Sequence, residues 1–269
     1  MTGRAGLAWA QRFVLALALL FSTLKAHALG GLILIDAPPK DGYTLAVGPA
    51  LAGYPEAPGS DRTKVLPLVG IDFESPSGGF ISTDIGAGWN FSKREDLQFG
   101  ARLWPVFGRD DDRSRARGLD DVGNRLGLGL FLNYEPWQFL VLQSSLLTGS
   151  GSDRNGTQFE TGATIAAPLG DSALLGLTLG TTWSNGAYLR SYFGVTPAES
   201  SAGSLPVFAP GAGWSDLNAS LNAEVQIDPR WKLSGQWLVA RLIGDAGRSP
   251  VTTSRTQMTF LVTLWYQLK

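Results

Sequence analysis

The chain of 269 residues has no cysteine, one histidine, 34 glycines and a formal charge of −1. It therefore cannot build a disulfide, a thiolate metal site or a cysteine nucleophile, and a pI near 5.9 lacks the basic excess of a nucleic-acid surface. Charged side chains make up only 17 %, against a usual share of about 25 %, while 44 % hydrophobic residues suffice for a core.

The first 28 residues read as an export signal. Arg4 and Arg12 give a basic start, and residues 13–21 (FVLALALLF) form a short apolar run. Ala26 and Ala28 then flank His27 in the small-x-small pattern of signal cleavage, which places the cut after Ala28. A membrane-spanning helix would need about 20 apolar residues, and Lys25 interrupts too early. Cleavage removes Arg4, Arg12 and Lys25, so 19 basic side chains face 23 acidic ones and the charge becomes −4. His27 leaves as well. A mature chain without His or Cys excludes Ser-His-Asp triads, histidine acid–base chemistry and nearly every transition-metal site. Only carboxylate or Ser-Lys chemistry survives, so the expectation is a protein that is not an enzyme and takes no cofactor or metal. Residues 29–42, broken by Pro38 and Pro39, read as an N-terminal lead-in to a single domain over 43–269.

From there on, side chains alternate with period two, as in extended strands. Ile81, Thr83, Ile85, Ala87, Trp89 and Phe91 oppose Ser82, Asp84, Gly86, Gly88 and Asn90. Leu97, Phe99, Ala101 and Leu103 oppose Gln98, Gly100 and Arg102; Leu126, Leu128, Leu130 and Leu132 oppose Arg125, Gly127 and Gly129, with Phe131 an exception. The cleanest segment is 215–228, where Leu217, Ala219, Leu221, Ala223, Val225 and Ile227 oppose Asp216, Asn218, Ser220, Asn222, Glu224 and Gln226. The C-terminal run alternates likewise from Met258 to Leu268, with Leu261 and Trp265 as exceptions. About twelve strands of roughly ten residues result, give or take about two, the length a tilted membrane strand needs. They begin near Tyr43, Lys64, Gly79, Glu95, Val122, Pro136, Gly156, Asp171, Ala187, Trp214, Arg230 and Thr256. Glycines 86, 88, 127 and 129 lie inside these strands and do not form a phosphate-binding loop.

Short turns rich in Gly, Pro, Asn and Asp separate some strands, as at 75–78, 169–171, 184–186 and 228–230. Polar connections over 54–63, 108–121, 149–155, 196–213 and 244–255 are longer. An outer-membrane barrel with apolar residues outward fits better than a soluble sandwich. The opposite face carries Gly, Ser, Thr, Asn and Gln rather than Lys and Glu. Aromatic residues sit near strand ends, at Tyr43, Trp89, Phe91, Trp104, Tyr134, Trp137, Trp183, Tyr188, Trp214, Trp231 and Trp265, as interfacial girdles would. One feature conflicts. In such barrels long loops follow odd strands, yet 108–121 follows the fourth strand in this reading, so a strand has been split or merged, or a periplasmic turn is unusually long.

The C-terminal third carries a resemblance. Tyr192-Phe193-Gly194-Val195-Thr196, followed by Ser200-Ser201-Ala202-Gly203-Ser204-Leu205-Pro206-Val207-Phe208-Ala209-Pro210-Gly211-Ala212-Gly213, resembles the YFGVT…SGLPxYxAxAG signature of the MltA-interacting protein (MipA/OmpV) family. Arg241-Leu242-Ile243-Gly244-Asp245-Ala246-Gly247-Arg248-Ser249-Pro250-Val251 is similar to that family's RLxGDAADSPIV segment. Gly48, Tyr54, Gly59 and Ser60, then Gly108, Arg109, Gly118 and Leu119, fit its opening strand and middle loop. Departures are Arg248, where the family usually has an acid, the inserted Ser204, and an end on Lys269 rather than an aromatic residue. The resemblance implies an outer-membrane β-barrel whose partners, besides outer-membrane lipid, are a murein transglycosylase and a murein synthase held on a scaffold. Other members are described as porin-like, so a channel for small polar solutes is the alternative.

Several residues stand out as site candidates. By the parity above, Asp84, Arg102, Arg125, Glu160, Glu224 and Lys232 point inward, either tuning a polar channel or pairing across a narrow, plugged lumen. The loop at 196–213 is too apolar for a purely solvated one, with Leu205, Pro206 and Phe208. It either packs against the barrel rim or presents a docking surface, as does the turn with Gly244, Asp245, Ser249 and Pro250. The acidic and basic cluster at 110–117, with Asp120 and Asp121, lacks the spacing of a calcium loop and reads as solvated.

Overall fold

Alternating side chains close the chain on itself. The computed structural model describes residues 34–109 and 118–269; the cleavage residues Ala26 and Ala28 and the cluster at 110–117 lie outside the described residues. Among these, twelve antiparallel strands form one closed barrel in which neighbours in sequence pair and the last strand pairs with the first. They are β1 (Thr44–Pro55), β2 (Thr63–Glu74), β3 (Gly79–Ser82), β4 (Gly86–Asn90), β5 (Leu97–Val106) and β6 (Arg125–Trp137). The second half comprises β7 (Leu140–Ser150), β8 (Gly156–Leu169), β9 (Ala173–Ser184), β10 (Gly213–Gln226), β11 (Trp231–Leu242) and β12 (Thr256–Gln267). Three short helices lie in the connections: α1 (Gly186–Phe193), α2 (Pro197–Ala202) and α3 (Gly244–Arg248).

The burial pattern is inverted relative to a soluble protein. On β10 the outward Leu217 and Leu221 are 55 % and 45 % exposed, while the inward Ser220 and Asn222 are 5 % and 4 % exposed. The same contrast runs round the wall. An exterior belt of exposed Leu, Val, Ile, Phe and Trp over a polar interior belongs in hydrocarbon, where lipid covers what water would not.

The strand count agrees with the sequence reading through two differences that cancel. The stretch read as one strand from Gly79 is a hairpin, β3 and β4, reversing at Thr83–Ile85 where Gly86 takes a φ of 91°. A Cβ on Gly86 would lie 2.2 Å from the Leu103 carbonyl oxygen. The pairing Ile81↔Ala87 keeps odd-numbered residues on one face of both strands, so the alternation runs through the reversal and hides it. Ile85 departs from that face: it is buried with Phe80, Phe131 and Ile35. Conversely, the strand expected from Ala187 is α1. With these corrections the long connection at 107–124 follows β5, an odd strand. Those after β1, β7, β9 and β11 share its end of the barrel. The turns after even strands are short, which orients them to the periplasm.

Aromatic residues ring the periplasmic end in four contacting pairs. Tyr43–Phe73, Phe91–Phe99, Trp137–Phe139 and Trp231–Tyr266 have ring centroids 4.8–6.2 Å apart. At the other end Phe159, Trp183 and Trp214 stand in register on neighbouring strands. Three residues of the expected girdle are elsewhere. Trp265 is buried on the inner face and donates to Ser234 Oγ at 2.8 Å, Trp104 shares the inner face with Arg102, and Tyr188 is buried on α1.

Closure depends on the seam between β1 and β12. There a Cβ at Gly48 would come within 1.8 Å of the Leu264 carbonyl oxygen, a backbone atom that cannot swing aside. Gly48→Val is expected to abolish the heat-dependent gel mobility of the folded barrel, whereas Val47→Ala, on the outer face of the same strand, retains it.

Candidate functional site

The interior is a polar lattice. Gln143 on β7 donates to Thr164 on β8 at 2.8 Å, and Thr164 meets Thr178 on β9 at 2.6 Å. Asn222 on β10 donates to Thr178 at 3.2 Å and accepts from Gln236 on β11 at 2.8 Å. Five consecutive strands are thus laced by buried side chains, satisfying groups that would be costly to leave unpaired.

The six charged residues assigned to the inner face fall into separate arrangements. Glu224 and Lys232 form an ion pair at 3.3 Å, both largely buried. Asp84, fully buried at the tip of the β3–β4 hairpin, lies with Glu224 beside a cavity of about 10 Å³ that Asn222, Ser234, Gln236 and Leu261 also line. That volume admits about one water. Arg102 donates to the Ile85 carbonyl at 2.9 Å and stacks over Trp104, so the hairpin tip is held from the β5 side. Arg125 donates to the Ser152 carbonyl at 2.9 Å, near the loop between β7 and β8. Glu160 stands on β8 between Ser145 and Thr182. Asp84, Glu224, Lys232 and Arg102 thus gather around the hairpin tip, whereas Arg125 stands apart near the loop between β7 and β8.

The mouth opposite the periplasm is covered by a lid. Asn185 caps α1 by accepting from the Tyr188 N–H at 2.9 Å. The buried face of α1 is Tyr188, Leu189, Tyr192 and Phe193, packed with Val122, Leu242 and Ala246. Arg109 donates to the carbonyls of Tyr192 and Asp120, and the Tyr192 hydroxyl donates to the Phe107 carbonyl at 3.1 Å. Helix α2 starts in a capping box of Thr196 and Glu199 with Pro197 at its first turn. Glu199 also accepts from the Asp120 N–H. Gly59 accepts from the N–H groups of Thr253 and Ser254, which ties the first loop to the last.

A family model described as MltA-interacting protein MipA matches residues 47–268. The chain belongs to this family. No curated protein matches it. Among solved structures it is similar to the outer membrane channel DcaP of Acinetobacter baumannii, at 11 % identity over 87 % of this chain and 100 % of that one, with a TM-score of 0.38. It is also similar to the translocator domain of the autotransporter NalP from Neisseria meningitidis, at 16 % identity over 85 % and 89 %, TM-score 0.42. For the NanC porin the figures are 7 % identity, 84 %, 100 % and 0.39.

In this MipA chain the stretches that resembled the family signature build the lid. Leu205, Phe208 and Val251 pack against Leu119 and Val195, and Phe208 and Val195 exchange backbone hydrogen bonds; Pro206 is exposed. Gly244 takes a φ of 55° against the Trp214 carbonyl, where a Cβ would lie 2.7 Å away. Ser249 donates to the Phe193 carbonyl at 2.6 Å, beside half-buried Pro250. Arg248, at the position where the family usually has an acid, pairs with Asp245 at 2.7 Å. Arg109 is the site residue that sequence reasoning passed over as a bare motif match; its partner Tyr192 is 83 positions away.

The periplasmic end is also occupied. Ile35 from the lead-in inserts against Phe80, Ile85 and Phe131. The Asp36 carbonyl accepts from Asn90 at 3.1 Å, and Lys40 pairs with Glu95 at 2.7 Å.

The N–H of Gly211 and the Arg248 guanidinium hold the Asp245 carboxyl below the usual carboxylate range. A depressed folded value means that this contact stabilises the lid above the ordinary carboxylate pKa of about 4 and is lost as pH falls through the folded one. Amide exchange in α3, expressed relative to the intrinsic rate at each pH, is expected to rise on acidification below about pH 4, and Asp245→Asn is expected to flatten that dependence. An unchanged profile in the variant would assign the rise to other groups.

Proposed function

We propose that this chain is a non-enzymatic outer-membrane β-barrel acting as a scaffold, holding a murein transglycosylase and a murein synthase together through its periplasmic face. Export through a signal peptide cut after Ala28 delivers it to that membrane. The observation that carries the reading is the filled interior. With the hairpin tip, the side-chain lattice and the lead-in inside the barrel, the surfaces left for a partner are its two ends. The outer end is devoted to the lid. The inner end, which faces murein, presents the lead-in with Lys40 and the turn carrying Lys93, Arg94, Glu95 and Asp96. The family description names an interaction partner, which favours the scaffold over the channel. In this reading the inward charges Asp84, Arg102, Glu224 and Lys232 serve the barrel's packing and not ion selection.

The test uses purified lytic murein transglycosylase and bifunctional murein synthase passed over immobilised residues 29–269 in detergent. Both enzymes are expected to be retained. Lys93→Glu combined with Arg94→Glu should lower retention at least tenfold, while Arg248→Glu on the lid leaves it unchanged. Failure of the unaltered chain to retain either enzyme contradicts the proposal.

A further inference from the structure

One arginine of the wall is turned outward. On β11 the odd-numbered residues face the bilayer: Trp231, Leu233 and Trp237 are exposed, whereas Ser234, Gln236 and Leu242 are buried. Arg241 shares that outer face and is exposed. Among the described strand residues it is the one charged side chain facing out. The charges of the other strands, Asp72, Arg102, Glu160 and Glu224 among them, occupy inner-face positions. Arg241 also opens the stretch that is similar to the family's RLxGDAADSPIV segment. The residues after it build the lid: Leu242 packs with α1, Gly244 meets the Trp214 carbonyl, and Ser249 bonds to Phe193. Its first residue alone has no part in that packing.

The guanidinium is positioned without being neutralised. Thr256 stands beside Arg241 in register on β12, and its Oγ1 accepts from Arg241 Nη1 at 3.0 Å. This aims the side chain along the outer rim. The acids of the neighbouring segments are engaged elsewhere. Asp216 on β10 faces inward and accepts from Asn218, Asp245 accepts from Arg248 and the Gly211 N–H, and Asp61 accepts from the Thr253 hydroxyl. Arg255, exposed and joined through its carbonyl to the Leu242 N–H, adds a second cation at the same rim.

Below the guanidinium the wall is apolar. Leu217 is its partner on β10, Trp237 lies two outward positions down β11, and Met258 follows Thr256 on the outer face of β12. All three are exposed. A forked cation at the strand end over an apolar wall matches a molecule that carries acyl chains with a phosphate at their head. Free phosphate would use the arginine alone, and a lipid without phosphate the wall alone. Arginine suits the headgroup because its planar fork meets two phosphate oxygens at once. The end of the barrel that bears Arg241 is opposite the short turns and therefore lies in the outer leaflet, whose anionic lipid is the phosphorylated glycolipid lipid A.

We propose that Arg241 binds a phosphate group of lipid A in the outer leaflet, with the acyl chains lying along Leu217, Trp237 and Met258. The site depends on the orientation of the barrel and is independent of the scaffold reading. Refolded residues 29–269, their folding verified by heat-dependent gel mobility, are mixed in detergent with lipid A, and bound lipid is counted by native mass spectrometry. The unaltered chain is expected to carry lipid A and to carry dephosphorylated lipid A at least about threefold less. Arg241→Gln should lower the lipid A adduct by about threefold or more, with Arg241→Lys in between because an ammonium lacks the fork. Arg190→Gln, on α1 where it packs against β8, should leave the adduct unchanged. A smaller loss in Arg241→Gln, equal binding of the dephosphorylated lipid, or an equal loss in Arg190→Gln would overturn the proposal.

Discussion

In hydrocarbon, water cannot satisfy a backbone N–H or C=O, so every such group in the crossing must find a partner within the protein. The chain meets this by pairing β12 with β1, and the rest of the structure follows from closure. Strands that are paired on both edges have only their two faces left to differentiate. The outer face takes Leu, Val, Phe and Trp, and the inner takes Ser, Thr, Asn, Gln and the few charges.

Polar side chains turned inward face a second form of the same demand. A narrow interior holds too little water to solvate them, so they solvate one another. The belt from Gln143 to Gln236, the Glu224–Lys232 pair and the grip of Arg102 on Ile85 are the outcome. In the proposed reading, filling from within leaves the ends of the barrel for a partner. The segments resembling the family signature, around Tyr192, Leu205 and Gly244, are lid-building segments whose glycines and hydroxyls fit close backbone approaches.

Much of the barrel was legible because a pleated strand fixes side-chain direction by sequence position alone; the alternation over 215–228 needs no tertiary information. Exceptions to alternation were informative. Phe131, Leu261 and Trp265, which broke the pattern as apolar residues on a polar face, are buried inside the barrel. The hairpin at Thr83 was hidden because its register preserves parity, with only Ile85 out of step. Helix α1 had a local signal that the period-two reading overrode: Asn185 as a cap, then Tyr188, Leu189, Tyr192 and Phe193 at helical spacing. The Thr196–Pro197–Glu199 capping box was equally readable. What sequence could not supply was the lid's long-range bonding, such as Arg109 to Tyr192 or Ser249 to Phe193, because nothing local to either partner specifies the other.

The central claim is that the folded barrel is filled. Planar-bilayer conductance of refolded residues 29–269, after heat-dependent gel mobility has verified folding, tests it most directly. The account predicts a folded protein that inserts without discrete conductance steps. Reproducible steps of uniform size, present without denaturant, would contradict it and would make the inward charges on β5, β10 and β11 the lining of a pore.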